Sequence, residues 1–151
     1  MITTVTLNPA IDKIYKVNDF RTHKLHRLQE KTETITQPGG KGVNIAIALK
    51  RLGMKDVFAM GFAGGHAGRM LTEEIRKEGV TTNFVHIEDE TRTDVSIIDK
   101  QKNTLTEINE AGHDVEPEDV EMFLDRYKKT LNDTELMVIA GSIPPSISKD
   151  F

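Results

Sequence analysis

Gln37-Pro38-Gly39-Gly40-Lys41-Gly42-Val43-Asn44-Ile45-Ala46-Ile47-Ala48-Leu49-Lys50-Arg51-Leu52-Gly53 is the stretch that decides the fold. Its first half predicts an irregular loop, because proline lacks a backbone donor and the closely spaced glycines leave the chain unconstrained. Its second half is a nearly continuous apolar run that predicts a buried helix, with Gly53 as the left-handed stop. The pattern therefore predicts a glycine-rich loop that leads into a buried helix.

Such a loop suits an oxygen-rich or anionic ligand. The first turn of a helix offers unpaired N–H groups and a partial positive charge, and glycines let the main chain approach the ligand closely. Lys41 adds a full charge, and the Asn44 amide can both donate and accept hydrogen bonds. The alternative is a glycine turn that only packs the helix against a sheet. The loop is not a Walker A motif, because no Gly-Lys-Ser or Gly-Lys-Thr closes it.

The composition limits the class of protein. The 151 residues suit one core-bearing domain, and the net charge of -4 argues against nucleic acid as a partner. We expect no membrane partner and a cytoplasmic location, because there is neither a long apolar run nor a signal-like N-terminus. The absence of cysteine excludes thiolate chemistry. His23 and His26 lie three residues apart in a polar segment, which we interpret as solvated surface, so no metal site is predicted.

Buried strands and helices alternate along the chain, as in a doubly wound α/β sheet. Besides the central helix, helices are expected after the turn at residues 61–68 and from Pro117, the latter with an apolar stripe that ends at Leu131. Strands are expected at residues 2–7, 14–17, 25–36, 57–61, 84–87, 93–98, 104–108 and 136–140. The chain ends just where a further helix should follow the last of these strands.

Polar residues near strand ends are the remaining site candidates. Asp12 closely follows the first strand and could accept hydrogen bonds from sugar hydroxyls, or cap the turn. Arg92 begins a predicted hairpin and could present its guanidinium to a phosphate, or lie in solvent. The loop with Ser142 follows a buried strand, where parallel sheets bind ligands. The glycine-rich turn at residues 61–68 resembles a dinucleotide fingerprint, but Ala63 replaces its first glycine.

Four segments together resemble the PfkB/ribokinase-like sugar kinases, and the similarity runs from residue 1 to residue 151. They are Thr6-Leu7-Asn8-Pro9-Ala10-Ile11-Asp12, Gly39-Gly40-Lys41-Gly42-Val43-Asn44-Ile45-Ala46, Gly61-Phe62-Ala63-Gly64 and Gly141-Ser142-Ile143-Pro144-Pro145. The branch most similar is the group of 1-phosphofructokinases and tagatose-6-phosphate kinases. The resemblance implies a ribokinase-like three-layer α/β sandwich with a small β-sheet lid, whose strands are expected at about residues 12–36 and 84–109.

The resemblance also implies roles for individual residues. Asp12 and Asn44 are expected to hold sugar hydroxyls, while Lys41 and Arg92 are expected to meet the phosphate. The backbone at Gly39 and Gly40, the Ser142 side chain and, from a partner subunit, Arg27 complete the implied substrate site. The lid of one subunit is expected to clasp a second lid and form a homodimer.

One departure from the family pattern is large. The Gly-x-Gly-Asp motif with the catalytic base and the Asn-x-x-Glu motif that organises magnesium are both absent. We therefore expect the N-terminal half of an ATP- and Mg²⁺-dependent ketohexose-phosphate kinase, with the catalytic base beyond Phe151 and no activity of the chain alone. The substrate is open among fructose 1-phosphate, tagatose 6-phosphate and fructose 6-phosphate. Alternatives are a non-catalytic sugar-phosphate-binding or dimerisation module and, more distantly, a dinucleotide-binding domain.

Overall fold

A computed structural model describes residues 1–148 and residue 150 of the chain. These residues form two sheets and three α-helices, with a short 3-10 turn at Lys31–Glu33. In chain order the elements are β1 (Ile2–Thr6), β2 (Ala10–Val17), β3 (Thr34–Gly39), α1 (Lys41–Arg51), β4 (Val57–Gly64), α2 (Gly65–Lys77), β5 (Thr81–Ile87), β6 (Thr93–Asp99), β7 (Thr104–Ile108), α3 (Pro117–Leu131) and β8 (Leu136–Ile139).

The main sheet has the strand order β5-β4-β1-β8, and all of its neighbouring pairs are parallel. Its central strands are rich in apolar and threonine side chains because both of their faces are covered by protein. Thr4 illustrates the register, since it pairs with Ala59 of β4 on one side and with Val138 of β8 on the other. The predicted α/β class with a parallel sheet is confirmed.

Two hydrophobic cores lie on opposite faces of the main sheet. The successive connections β1–β4 and β4–β5 run in one direction across the sheet, whereas the chain from β5 to β8 returns, so right-handed crossovers put α3 on the opposite face from α1 and α2. Successive side chains of β4 point to opposite faces of the sheet, so this strand contributes to both cores. Ala59 packs beneath the α1 and α2 residues Val43 and Leu71, while Phe62 contacts Phe123 of α3 at 5.1 Å between ring centroids.

A second sheet with the strand order β3-β2-β6-β7 projects from the C-terminal edge of the main sheet. Its strand β2 pairs in parallel with β6, and its two outer pairs are antiparallel. The strands β2 and β3 lie in the chain between β1 and α1, and β6 and β7 lie between β5 and α3. The chain therefore passes between the two sheets four times. None of the helices in the described residues is long and apolar enough to span a membrane.

Strand pairing changes several predicted boundaries in the second sheet. Pro38 and Gly39, predicted as loop, close the strand β3, which tolerates a proline because it is an edge strand with only β2 as its neighbour. Residues 25–30, predicted as strand, have no regular structure. Asp12 was expected just beyond a strand but lies within β2, which begins at Ala10. The differences at Pro38, Gly39 and Asp12 come from pairing with strands that are distant in sequence.

Other predictions are corrected in the main sheet. The predicted lid range 84–109 begins one strand too early, because β5 pairs with β4 in the main sheet. Of the strands in this range, only β6 and β7 belong to the second sheet. The strand β4 continues to Gly64, through part of the predicted turn. Leu131, predicted as core, is 43% exposed at the end of α3. The strand β8, predicted as buried, is an edge strand among the described residues, with Leu136 54% and Ile139 64% exposed.

Candidate functional site

A polar cleft of about 410 Å³ lies between the C-terminal ends of β1 and β8 and the near end of the second sheet. Between β1 and β8 the chain changes its direction across the main sheet, and parallel α/β sheets bind ligands at such switch points. The lining residues come from six segments of the chain: Asn8, Asp12, Gly40, Lys41, Asn44, Arg92, Asp94, Ser96, Glu107, Asn109, Gly141 and Ser142.

The glycine loop brings the start of α1 to this cleft. Gly40 is the N-cap residue with a φ of +109°, a conformation that favours glycine, and no side chain caps the helix. Gly42 packs directly on β1, because a Cβ there would stand 2.7 Å from the carbonyl oxygen of Val5. The first N–H groups of α1 and the exposed Lys41 side chain therefore form a positive wall beside the strand end.

Asp12 is the carboxylate that faces this wall. Gly39 is required beside it, since a Cβ on Gly39 would stand 2.5 Å from Asp12 Cγ. Burial raises the pKa of Asp12, and the neighbouring Asp94 carboxylate raises that pKa further. A half-buried carboxylate of this kind can accept hydrogen bonds from two hydroxyl groups, which is the chemistry that binds a sugar.

Asp94 stands beside Asp12 because the two residues pair directly in the parallel register of β2 and β6. Burial raises the pKa of Asp94 also, and the Arg92 guanidinium opposes the shift. Arg92 Nη1 lies 3.2 Å from each carboxylate oxygen of Asp94, and both side chains are 14% exposed. The pair is therefore held together in a largely desolvated setting, where breaking it is costly.

Arg92 has further contacts with the backbone. Its Nε donates to the carbonyl oxygen of Asn8 at 3.3 Å, and its Nη1 donates to that of Glu110 at 3.0 Å. The guanidinium thus connects the end of β1, the second sheet and the segment that leads to α3. Its Nη2 makes no hydrogen bond with any residue that the structure describes, so this nitrogen is the one able to donate to a ligand in the cleft.

Most of the predicted site residues come together. Asp12, Gly40, Lys41, Asn44, Arg92 and Ser142 line the cleft, and Gly39 lies beneath the Asp12 carboxylate. Arg27 does not join them. It lies in the segment between β2 and β3 and lines a separate surface depression with Asn18 and Glu30.

Six residues that line the cleft were not predicted as site residues. They are Asn8, Asp94, Ser96, Glu107, Asn109 and Gly141. Asn8 was noted only as part of the family segment at residues 6–12, and Asn109 only as the last residue of the expected lid range. The alternation of Asp94 and Ser96 along β6 indicated that they share a face, but the face that meets Asp12 depends on the β2–β6 register.

The start of α2, which was the alternative ligand site, is occupied by a side chain of the protein itself. The Glu90 carboxylate accepts a hydrogen bond from the Ala67 N–H at 2.5 Å, and it also lies against Gly65. A pyrophosphate at this helix end would meet that negative charge, which weighs against a dinucleotide there. Among residues 1–148 and 150, no group of three His, Asp or Glu side chains could hold a metal ion.

Comparisons with known proteins agree on one family. The sequence model of the pfkB family carbohydrate kinases matches residues 5–151. The 1-phosphofructokinase of Bacillus subtilis strain 168 is 37% identical over 150 residues, which are 99% of this chain and 47% of that protein. A tagatose-6-phosphate kinase of Staphylococcus epidermidis is 33% identical over 151 residues, again 47% of its length.

Solved structures share the fold. A protein named as a possible 1-phosphofructokinase from Thermotoga maritima superposes with a TM-score of 0.92 at 47% identity, over 98% of this chain and 47% of that one. The Escherichia coli phosphofructokinase-2 in complex with fructose 6-phosphate has a TM-score of 0.82 at 24% identity, a likeness that concerns the fold. The chain spans about half the length of the relatives it matches.

Proposed function

Because the chain belongs to the pfkB family of carbohydrate kinases, we propose that it forms the sugar-phosphate-binding part of an enzyme that phosphorylates a ketohexose phosphate with ATP. The candidate substrates are fructose 1-phosphate, tagatose 6-phosphate and fructose 6-phosphate. The 1-phosphofructokinase and tagatose-6-phosphate kinase relatives support the first two, and the fold of the fructose 6-phosphate complex supports the third.

The observation that carries the proposal is the distribution of charge in the cleft. Asp12 and the Asn44 amide offer acceptors and donors for hydroxyl groups, whereas Lys41, Arg92 Nη2 and the start of α1 offer positive charge for a phosphate. A sugar phosphate presents both kinds of group. The carboxylates of Asp12, Asp94 and Glu107 all line the cleft. Together they would repel a ligand that carries negative charge but no hydroxyl groups.

The role of these residues in phosphoryl transfer is positioning. The cleft would hold the acceptor hydroxyl in place and neutralise the substrate phosphate, which is the protein's main task in this chemistry. ATP and Mg²⁺ supply the phosphoryl group and its charge neutralisation when they are bound. We propose that the residues that hold them, and the base that takes the hydroxyl proton, lie outside this chain, since the Gly-x-Gly-Asp and Asn-x-x-Glu motifs are absent from it.

The second sheet is proposed to act as a lid and as the surface of a homodimer. Its outer strand β7 carries Leu105 and Ile108, which are 57% and 61% exposed. Covering such apolar side chains with a second copy would remove them from water. Arg27, exposed at the far end of this sheet, is proposed to reach the substrate of the partner subunit. A cytoplasmic location fits a sugar-phosphate kinase.

A non-catalytic module that binds a sugar phosphate or joins two copies is the second candidate. It is favoured by the cleft itself, because the described residues alone bring together groups for hydroxyls and groups for a phosphate. The two candidates predict the same binding and the same dimer. They differ in whether a form of the protein with the missing motifs turns over ATP.

Calorimetric titration with the three sugar phosphates, fructose and inorganic phosphate tests the binding part. We expect one sugar phosphate to bind at least tenfold more tightly than fructose or inorganic phosphate, because each of these controls fills only half of the cleft. ADP release with Mg-ATP tests the catalytic part, and we expect none from the 151 residues. Failure to bind any sugar phosphate would refute the proposal, and steady turnover by the 151 residues would refute the placement of the base outside them.

A further inference from the structure

Asn8 is a buried polar residue of the cleft wall that the proposed mechanism does not use. It lies two residues after the end of β1 and is 2% exposed, although it borders the cleft. Its Nδ2 donates to the carbonyl oxygen of Ala111 at 3.0 Å and to Ser142 Oγ at 3.1 Å. Both hydrogens of the amide group are therefore committed, one to the backbone and one to a side chain of the cleft.

The orientation of this amide follows from its partners. The carbonyl oxygen of Ala111 can only accept, so the amide nitrogen and not the oxygen must face it. Gly112 then closes over the amide, since a Cβ on Gly112 would stand 2.6 Å from Asn8 Nδ2 and 2.8 Å from Cγ. The amide cannot turn without displacing the segment that leads to α3.

The hydrogen bond from Asn8 Nδ2 determines whether the Ser142 hydroxyl group can donate to a ligand. A serine hydroxyl has one hydrogen to donate and two lone pairs to accept with. Because Asn8 Nδ2 has no lone pair to offer, Ser142 Oγ must be the acceptor, and its own hydrogen stays available. Ser142 is exposed at the cleft. The adjacent Gly141 lies near the first N–H group of α1, since a Cβ on Gly141 would stand 4.0 Å from Lys41 N.

The buried Asn8 side chain also has an unfavourable effect on stability that a role in packing alone does not explain. Its Oδ1 is buried and has no hydrogen-bond partner among the residues that the structure describes. A buried acceptor without a partner destabilises the fold, so an apolar residue of similar size would suit a purely structural role better.

We propose that Asn8 is a positioning residue, which holds Ser142 Oγ as an acceptor so that the Ser142 hydroxyl donates to an oxygen of the bound sugar phosphate. This inference rests on the proposed function. It predicts that Asn8 contributes to ligand affinity through Ser142 and through no other group, because its amide oxygen is buried and its nitrogen has no hydrogen left for a ligand.

A double-mutant cycle tests the coupling. The Kd for the best of the three sugar phosphates is measured for the parent, Asn8→Ala, Ser142→Ala and the double variant, with melting temperatures for each. We expect about a tenfold loss from either single change and no further loss in the double variant. Ser142→Thr keeps the hydroxyl and should retain at least part of the affinity that Ser142→Ala loses.

The outcomes separate this inference from the proposed function. A double variant that loses the product of the two single effects, about a hundredfold, overturns the positioning role. So does an Asn8→Ala variant that binds like the parent. A parent that binds no sugar phosphate overturns the proposed function and this inference with it.

If Asn8→Ala does not fold, the NMR signals of the Asn8 side-chain amide in otherwise unaltered protein give the answer. They should shift when the sugar phosphate binds the parent, and should stay in place when it binds Ser142→Ala. An equal shift in both proteins overturns the inference, because the amide would then sense the ligand by another route.

Discussion

Asp12 and Asp94 lie side by side on adjacent strands, each with a raised pKa, and only Asp94 has an arginine as its partner. The two carboxylates therefore have different roles. Asp94 holds Arg92 in place, whereas Asp12 faces the cleft without a cationic partner among the described ion pairs. A ligand that donates hydroxyl groups to Asp12 would replace the hydration that this carboxylate loses on burial.

Asp12→Asn should stabilise the fold while it weakens sugar binding. A carboxyl group whose pKa is raised in the folded state contributes stability that is present below its unfolded pKa and is lost as the pH rises through the folded pKa. The variant should therefore melt above the parent at neutral pH, and the difference should close towards pH 4. Melting curves across this range test the prediction, with the exposed Asp125→Asn as the control. A lower melting temperature of Asp12→Asn at pH 7 would contradict it.

Arg92→Ala should destabilise the protein as well as weaken ligand binding. The change leaves the Asp94 carboxylate without its cation and two carbonyl oxygens without a donor, at a cost of about 3 kcal/mol. Arg92→Lys keeps the charge but cannot reach all three partners, so it should lose part of that amount. Denaturant unfolding measures both, and a ten- to hundredfold weaker binding of sugar phosphate by Arg92→Ala is expected beside it. A stability loss below about 1 kcal/mol would return Arg92 to a ligand-binding role alone.

Gly40→Ala and Gly53→Ala form a matched pair. Both glycines have a positive φ, +109° and +92°, so alanine is strained at each by about 1–3 kcal/mol. A Cβ on Gly40 would also stand 2.8 Å from Thr6 Cγ2, whereas a Cβ on Gly53 would meet nothing within 4 Å. The free energy of unfolding should therefore fall further for Gly40→Ala. Equal losses would mean that the loop moves away from β1 without cost.

His113 should make stability depend on pH. The side chain is 1% exposed, and burial lowers the pKa of His113, although the nearby Asp89 carboxylate and the Leu7 backbone oppose this shift. The unfolded chain then binds more protons than the folded one, so stability is full above about pH 6.5 and falls as the pH drops below it. Unfolding at pH 7.5 and 5.5 should show a smaller loss for His113→Leu than for the parent. The exposed His66→Gln should keep the parent's pH dependence, and a His113→Leu variant that also keeps it would contradict the assignment.

Two apolar edges predict two kinds of association. The edge of the main sheet carries Leu136 and Ile139, and the edge of the second sheet carries Leu105 and Ile108. Leu105→Lys with Ile108→Lys should abolish the proposed dimer, while Leu136→Lys with Ile139→Lys should only reduce larger, concentration-dependent species. Analytical ultracentrifugation over a range of concentrations distinguishes the two. A dimer that survives the first pair of changes would exclude the second sheet as its interface.

Local signals predicted the central helix and its C-terminal stop. The apolar run to Leu52 and the left-handed Gly53 are properties of adjacent residues, and the structure has both. The sheet to which β5 belongs could not be read in the same way, because its pairing with β4 is a property of the fold. The same holds for Pro38, which is compatible with a strand only at a sheet edge.

In the candidate site, too, local sequence signals predicted some residues, whereas others depend on long-range strand pairing. Asp12, Lys41 and Asn44 were identified because loop chemistry and a family motif lie in contiguous sequence. Asp94 and Glu107 reach the cleft through the register of β2 with β6 and of β6 with β7, which no local pattern specifies. The ion pair of Arg92 with Asp94 was likewise unforeseen, and it turns a proposed ligand contact into a structural one as well.

All four passages of the chain between the sheets lie beside the cleft. Three are short, namely residues 7–9, residue 40 and residues 88–92, and the fourth is the segment from β7 to α3 that Asn8 and Arg92 hold through Ala111 and Glu110. The two sheets are also joined by packing, because Ile11 of β2 is buried in the same core as Val43 of α1 and Leu71 of α2. A displacement of the second sheet that changes the distance between Asp12 and Ser142 would therefore also move Ile11 within that core, so core packing limits how far the width of the cleft can change.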